Sequence, residues 1–318
     1  MQRTVLAESV LGDGRLLRLA TAEAADAQAI SEVILDAFSN RPKVIPPPPA
    51  LNETPESVQT ALARGFGVLA LVDDEPAGVI IVSIDGALAG IHRVSVRPSF
   101  QRLGIASVMV TVVLEALALQ SVQSVELVAR TEFPAVVAWW HRHGFNETAR
   151  TGTSLTLARQ LPVCVQTATA EDTQALGRRL AGLVRAGDVL IAAGDLGAGK
   201  TTLAQGLGAG LDVSGPVISP TFVLSRVHPP NGTGPALVHV DAYRLGTAAE
   251  LDDLDLDAST QESVTLVEWG TGVAEGLSTD RLEIDIRRSL DPADETRWIF
   301  LTPVGERWAN LRAELEAK

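Results

Sequence analysis

A single cysteine, Cys164, stands among 318 residues, so the chain can close no internal disulfide and a reducing compartment is expected. Lysine is nearly as scarce, with Lys43, Lys200 and Lys318 the whole supply. No apolar run reaches membrane-spanning length. The most apolar stretch, residues 107–119, is interrupted by Glu115 and falls short of the roughly 20 residues a bilayer helix needs. The opening MQRTVLAESV holds no apolar segment of signal-peptide length. These absences argue against a disulfide scaffold and an integral membrane helix, and a cytoplasmic protein is the expectation.

Positive charge is also in deficit, with 26 Lys+Arg against 39 Asp+Glu and a net charge of −13. Residues 1–161 contribute −3 of this and residues 162–318 contribute −10. Non-specific nucleic-acid binding works by neutralising phosphates, so so acidic a second half excludes it unaided. Any role on RNA would run through a partner.

What is present is enough for two ordinary domains. A hydrophobic content of 46% with 20% charged residues is that of a globular chain. From Val68 the pattern is strand-like, GVLALV and AGVIIVSI around a DDEP turn, followed by IHRVSVRP as a further strand. An apolar helix after QRLGIA, the strand SVELVAR, a short helix PAVVAWWHRH and a last strand SLTLARQL complete a first half. Four prolines, Pro46 to Pro49, mark a stiff surface loop. The pattern restarts near residue 162 with a strand (CVQTATA), an amphipathic helix (EDTQALGRRLAGLV) and a buried strand (DVLIAAG) that runs into a glycine loop. The fold class expected is α/β in two domains, 1–161 and 162–318.

That glycine loop, GDLGAGKT, matches G-x-x-x-x-G-K-[ST] at Gly194, Gly199, Lys200 and Thr201, between a strand and the helix TTLAQGLGAGL. Glycines let backbone N–H groups turn inward around phosphates, and the helix N-terminus adds positive potential. Lys200 can reach the β- and γ-phosphates, and Thr201 or Thr202 can offer a hydroxyl to Mg²⁺. Two apolar runs downstream each deliver an acid at a strand end, ALVHVD at Asp241 and SVTLVE at Glu268, and either can position the metal. Between the glycine loop and these runs lies the Ser-Pro-Thr turn of ISPTFVLSR. The guanine-reading motif [NT]-K-x-D does not occur, which favours ATP over GTP.

GDLGAGKTT, SPTF, HVDAYRL and VEWG, in this order and spacing, resemble the bacterial TsaE family over residues 162–318. The resemblance implies a P-loop ATPase that serves threonylcarbamoyl-adenosine (t6A37) modification of tRNA together with TsaD and TsaB, touching tRNA only through that complex. Asp195, Leu196, Gly197, Ala198, Gly199, Lys200, Thr201 and Thr202 would then hold ATP. Thr201 and Glu268 would face Mg²⁺, Asp241 would lie near the γ-phosphate or attacking water, Thr221 would be a switch residue, and Trp269 would serve hydrolysis or partner contact. Asp255 stands where the family often has glycine.

QRLGIA, after a strand and opening a helix, is a second candidate anion loop that needs no lysine. With the strand and helix order around it, it resembles the GNAT acetyltransferases over roughly residues 15–160. That implies a mixed sheet with flanking helices and an acetyl-CoA site at Val96, Gln101, Arg102, Leu103, Gly104, Ile105 and Ala106. A protein N-terminus is one acceptor considered. The sequence departs from the family where catalysis is concerned: WWHRHGF places Trp140 at the position of a tyrosine acid, and Phe133 replaces an asparagine. An indole N–H is no acid at neutral pH. His141 and His143 are substitute acids to consider, and His92 a base. Two other readings stay open, a P-loop kinase of a small metabolite or nucleoside, and a GNAT half that senses or docks without catalysis.

Overall fold

The computed structural model describes residues 3–245, 247–252, 261–289, 291 and 294–317. Asp255 lies outside the described residues. The chain forms two compact units, Met1–Leu161 and Pro162–Lys318, each with its own sheet.

The first unit runs β1 (Val5–Val10), β2 (Leu16–Thr21), α1 (Ala27–Ser39), α2 (Pro55–Ala63), β3 (Gly65–Val72), β4 (Glu75–Asp85), β5 (Leu88–Val96), α3 (Ile105–Leu119), β6 (Ser124–Arg130), α4 (Pro134–Arg142), β7 (Asn146–Thr151) and β8 (Ser154–Gln160). The sheet order is β1-β2-β3-β4-β5-β6-β8-β7, antiparallel except for the parallel pair β5 and β6. Asp73 and Asp74 turn β3 into β4 with positive φ at both positions (48° and 68°), the geometry that matches the twist of paired strands. The middle of β4 is buried on both faces, so its apolar run is continuous rather than alternating. Val79 and Ile81 join the cluster with Ile30, Val33 and Ile34 of α1. On the other face, Gly78 lets Met109 of α3 close in, because a Cβ there would lie 3.0 Å from Met109 Cε.

Strands β5 and β6 pair only over Leu88–Gly90 and Ser124–Glu126, although both continue, so they part beyond Gly90. A register shift in β4 and a positive φ at Arg93 (54°) accompany the parting. The segment between α1 and α2 is braced from both strands. Arg130 of β6 donates to Pro46 O (2.6 Å) and Ile45 O (3.1 Å), and Arg93 of β5 pairs with Glu53.

The second unit runs β9 (Val163–Thr167), α5 (Ala170–Ala181), β10 (Val189–Ala193), α6 (Lys200–Gly210), β11 (Ser225–His228), β12 (Ala236–Asp241), α7 (Ala248–Asp252), β13 (Ser263–Glu268), β14 (Arg281–Arg288), β15 (Arg297–Val304) and a terminal helix, Leu311–Glu316. The order is β11-β12-β13-β10-β14-β15-β9. The four strands β12, β13, β10 and β14 are mutually parallel, and the flanking pairings are antiparallel. A reciprocal cap starts α5: Thr169 Oγ1 accepts from Asp172 N (3.1 Å) while Asp172 Oδ2 accepts from Thr169 N (3.1 Å). Leu176, Leu180, Leu203 and Leu207 pack with Leu190, Leu266 and Ile284 of the sheet in one core. Burial of each leucine contributes about 1.5–3 kcal/mol.

The structure adds elements that the sequence pattern does not announce. Strand β5 starts at Leu88, three residues ahead of IHRVSVRP, and β7 is an edge strand (NETART) whose residues are all exposed and carry no alternation. β1, β2, α1 and α2 precede the first strand read from the sequence.

Helices α5 and α6 touch backbone to backbone. A Cβ at Gly206 would stand 2.1 Å from Gln174 O, and one at Gly177 would stand 2.4 Å from Leu203 O. Gly206→Ala is therefore expected to destabilise the unit by about 1–3 kcal/mol despite alanine's better helix propensity. Thermal unfolding of the full chain checks this, and an unchanged or raised midpoint would refute the close-packing account.

Candidate functional site

The loop of residues 194–199 joins β10 to α6, so the buried strand aims it and the helix closes it. Gly194, Gly197 and Gly199 have φ of 137°, 77° and 115°, values that a side chain resists. Gly194 has a second reason, since a Cβ there would lie 2.3 Å from Ile286 O. Inside the loop Ala198 N donates to Asp195 O (3.0 Å). Among the described residues, the amides of Gly197, Gly199, Lys200 and Thr201 meet no acceptor, which leaves them for an anion at the start of a helix. Asp195, Leu196 and Gly197 are exposed, whereas Ala198 is buried.

Lys200 is 5% exposed and its ammonium turns back on the loop, donating to Gly194 O (2.7 Å) and Asp195 O (3.0 Å). Its Nζ also lies 3.7 Å from the centroid of the Trp269 ring. Burial pushes the Lys200 ammonium below the ordinary lysine pKa, against the opposing pull of Glu268, Asp241 and Asp195.

Asp241 and Glu268 end β12 and β13 and are partners in the parallel register, beside Ala192 of β10. They are 3% and 2% exposed. Thr201 Oγ1 donates to Glu268 Oε1 (2.9 Å) and Oε2 (3.2 Å). Asp241 Oδ2 accepts from Ser219 Oγ (2.7 Å) and Thr221 Oγ1 (2.6 Å), and Oδ1 accepts from Tyr243 N (3.0 Å). The Ser-Pro-Thr turn is thereby tied to β12 through one carboxylate. Trp269 follows Glu268 with a positive φ (59°), uncommon for an aromatic residue, while its amide donates to Ala192 O (2.8 Å). Tyr243 meets its ring edge to face at 5.1 Å. Thr202 is half-buried one residue further into α6.

The residues read from the sequence thus converge at one end of the parallel strands. Three others belong with them: Ser219, Tyr243 and His239. His239 is fully buried, with Nε2 2.8 Å from Glu268 Oε1. Its signal was the period of a strand, since residues two apart share a face and His239 stands two before Asp241. No group of three or more His, Cys, Asp or Glu capable of holding a metal occurs among the described residues. Mg²⁺ at nucleotide sites needs only one or two protein oxygens beside phosphate and water, so Thr201 with Glu268 fits that group.

The second candidate loop is built without charge burial. Gln101 Nε2 donates to Val96 O (3.2 Å), which ties the loop to the end of β5. Arg102 and Gly104 have φ of 66° and 81°, and nothing lies within 4 Å of a Cβ position at Gly104. Ser107 N and Val108 N donate to Gly104 O. The amides of Leu103, Ile105 and Ala106 meet no acceptor among the described residues, so the loop suits a diphosphate. Ile105 anchors it at 1% exposure.

Trp140 is 5% exposed and packs edge to face on Phe145 at 5.0 Å, as a core residue does. Phe133 precedes α4 as its N-terminal flank. His143 Nδ1 is assigned as donor to Trp139 O (2.8 Å), which leaves Nε2 to accept from Ser107 Oγ at 3.2 Å in the first turn of α3. His141 is turned to Phe145 O (2.8 Å). His92, exposed on β5, meets Ser83 Oγ at 2.8 Å, and its desolvation lowers the imidazole pKa.

Because Lys200 rests on the Trp269 ring, a nucleoside triphosphate that draws the ammonium away should change tryptophan emission. Trp269→Phe should remove that response. Unchanged emission of the wild-type chain at saturating nucleotide would mean that Lys200 stays on the indole.

The family model described as "Threonylcarbamoyl adenosine biosynthesis protein TsaE" matches residues 167–297, and the acetyltransferase (GNAT) family model matches residues 16–145. The TsaE protein of Streptomyces coelicolor is 60% identical over 136 residues, 42% of this chain and 92% of the relative. That of Bacillus subtilis is 40% identical over 151 residues, 47% of this chain and 91% of the relative. A solved structure of the PaiA N-acetyltransferase from Thermoplasma acidophilum with coenzyme A matches at 12% identity and a TM-score of 0.42, covering 45% of this chain and 98% of that one. No described helix is long and apolar enough to cross a membrane. The first half resembles the acetyltransferase (GNAT) family model, and the chain belongs to the TsaE family through its second half.

Proposed function

We propose that residues 162–318 bind and hydrolyse ATP as the energy-using component of tRNA threonylcarbamoyladenosine synthesis, acting with TsaD and TsaB in the cytoplasm. The observation that carries this reading is the buried Lys200 ammonium beneath a loop of unpaired amides and beside Thr201, Glu268 and Asp241. Asp195 to Thr202 would take the phosphates and Lys200 the β- and γ-oxygens. Thr201 and Glu268 would hold Mg²⁺, which when bound neutralises charge on the phosphates. Water attacks the γ-phosphorus and ADP leaves. Asp241 orients that water, and its present partners, Ser219 and Thr221, are the hydroxyls it gives up to do so. Trp269 holds Lys200 until phosphate arrives.

The test is ATP hydrolysis by the full chain, alone and with TsaD and TsaB of the same organism, with Lys200→Ala as control. A low basal rate, raised by the partners and lost in the variant, is expected. Brisk turnover that responds only to a small-molecule acceptor would sink the reading in favour of a kinase. The arginines that follow Glu268 do not favour that alternative, since Arg281 and Arg287 of β14 pair with Glu283 and Asp285 along their own strand.

We further propose that residues 1–161 bind acetyl-CoA through Val96 and Gln101 to Ala106. In N-acetyl transfer an amine nitrogen attacks the thioester carbonyl, and the departing thiolate takes a proton. Trp140, packed in the core, does not supply that proton. This favours a second reading for this half alone, an acetyl-CoA sensor or docking module. Acetyl-CoA at a hundred times its Kd should stabilise the chain by about 2.7 kcal/mol in a thermal-shift titration, and Gly104→Val should erase that gain. Thiol release with candidate amines then separates enzyme from sensor. A melting curve indifferent to acetyl-CoA and CoA alike would overturn both.

A further inference from the structure

Glu268 is gripped from two sides by donors of different kinds. Thr201 reaches it from the first turn of α6, at 2.9 Å to Oε1 and 3.2 Å to Oε2. His239 reaches Oε1 from β12 at 2.8 Å and is 0% exposed. Nδ1 of His239 has no partner among the described residues. A carboxylate without a proton only accepts, and no acceptor faces Nδ1, so the ring proton is assigned to Nε2. Leu237 and Leu266 lie in the core cluster on the α6 side of the sheet, which places His239 and Glu268, each two residues from one of them, on that face together.

The two donors respond differently to a cation. A threonine hydroxyl can offer a lone pair to a metal while its proton turns about the Cβ–Oγ bond, so it holds neither Glu268 oxygen in one orientation. The imidazole has nothing else to bond and stays. Oε1 remains occupied by Nε2–H, and Oε2, whose described contact is the longer one to Thr201, is the oxygen left to face the metal.

We propose that His239 is a positioning residue for the cation site: its Nε2–H fixes the Glu268 carboxylate so that one oxygen stays turned toward Thr201. This rests on the reading of Thr201 and Glu268 as the Mg²⁺ ligands. The carboxylate keeps its orientation while the Thr201 hydroxyl turns, and outer donors of this kind change metal affinity by about 10- to 100-fold.

The experiment uses the full chain and measures affinity for ADP and for a non-hydrolysable ATP analogue, each with Mg²⁺ and with EDTA. His239→Met keeps the volume and removes the donor, whereas His239→Gln keeps an amide N–H that can reach Glu268. The methionine variant should bind nucleotide in EDTA as the wild type does and need about 10- to 100-fold more Mg²⁺ for the same gain in affinity. The glutamine variant should recover most of that gain. An unchanged Mg²⁺ requirement in His239→Met overturns the proposal. So does an equal loss with and without Mg²⁺, which marks a packing role alone. Should the methionine variant not fold, the wild type decides. Mg²⁺ added to the nucleotide-bound chain should shift the His239 ring-nitrogen NMR signal, assigned by its absence in His239→Gln, and no shift overturns the proposal. Glu268→Gln separates the two layers: if Mg²⁺ dependence survives that change, the cation-site reading itself fails and the role of His239 falls with it.

Discussion

Burying ionisable groups costs several kcal/mol apiece unless their hydration is replaced. The second unit buries Lys200, Asp241, Glu268 and His239 at one end of four parallel strands, and much of its local structure serves to offset that cost. Two hydroxyls and an amide meet Asp241, a hydroxyl and an imidazole meet Glu268, and two loop carbonyls and an indole face meet Lys200. Burial still lowers the Lys200 pKa, even with three carboxylates near it. The unpaired loop amides and the Lys200 ammonium are the groups that would face phosphate oxygens in the proposed nucleotide site.

Backbone geometry holds this arrangement in place. Carbonyls can turn toward Lys200 only because Gly194 accepts a φ of 137° and stands where any side chain would strike Ile286 O. The helix that carries Lys200 and Thr201 is seated by Gly177 and Gly206, which let α5 and α6 meet backbone to backbone. Trp269 takes a left-handed conformation directly after Glu268, an energetic cost retained where the ring must lie under the ammonium.

The first unit offers its proposed anion a different setting. Its loop offers amides at a helix start and a positive φ at Arg102 and Gly104, with no buried lysine in it. The cleft comes from the sheet, where β5 and β6 part beyond Gly90 while Arg93 and Arg130 brace the segment between α1 and α2. Dipoles and shape are what this loop offers, whereas the TsaE half adds a buried ammonium.

The sequence by itself determined most of what is local. GDLGAGKT between a buried strand and a helix, QRLGIA in the same setting, and acids closing ALVHVD and SVTLVE are all short-range patterns whose chemistry follows from spacing. The two resemblances were legible for the same reason. Edge elements were not: NETART of β7 is exposed throughout and has no period to read, and β5 begins ahead of its apolar run at Leu88. Tertiary structure alone decided the partnerships. That Thr201 and His239 share Glu268, that Ser219 and Thr221 share Asp241, and that Lys200 lies on Trp269 depend on residues 20 to 69 positions apart brought together by sheet order β12-β13-β10. A strand's period states which face a side chain takes, but which other strand lies beside it is set by long-range pairing, and no local pattern encodes that.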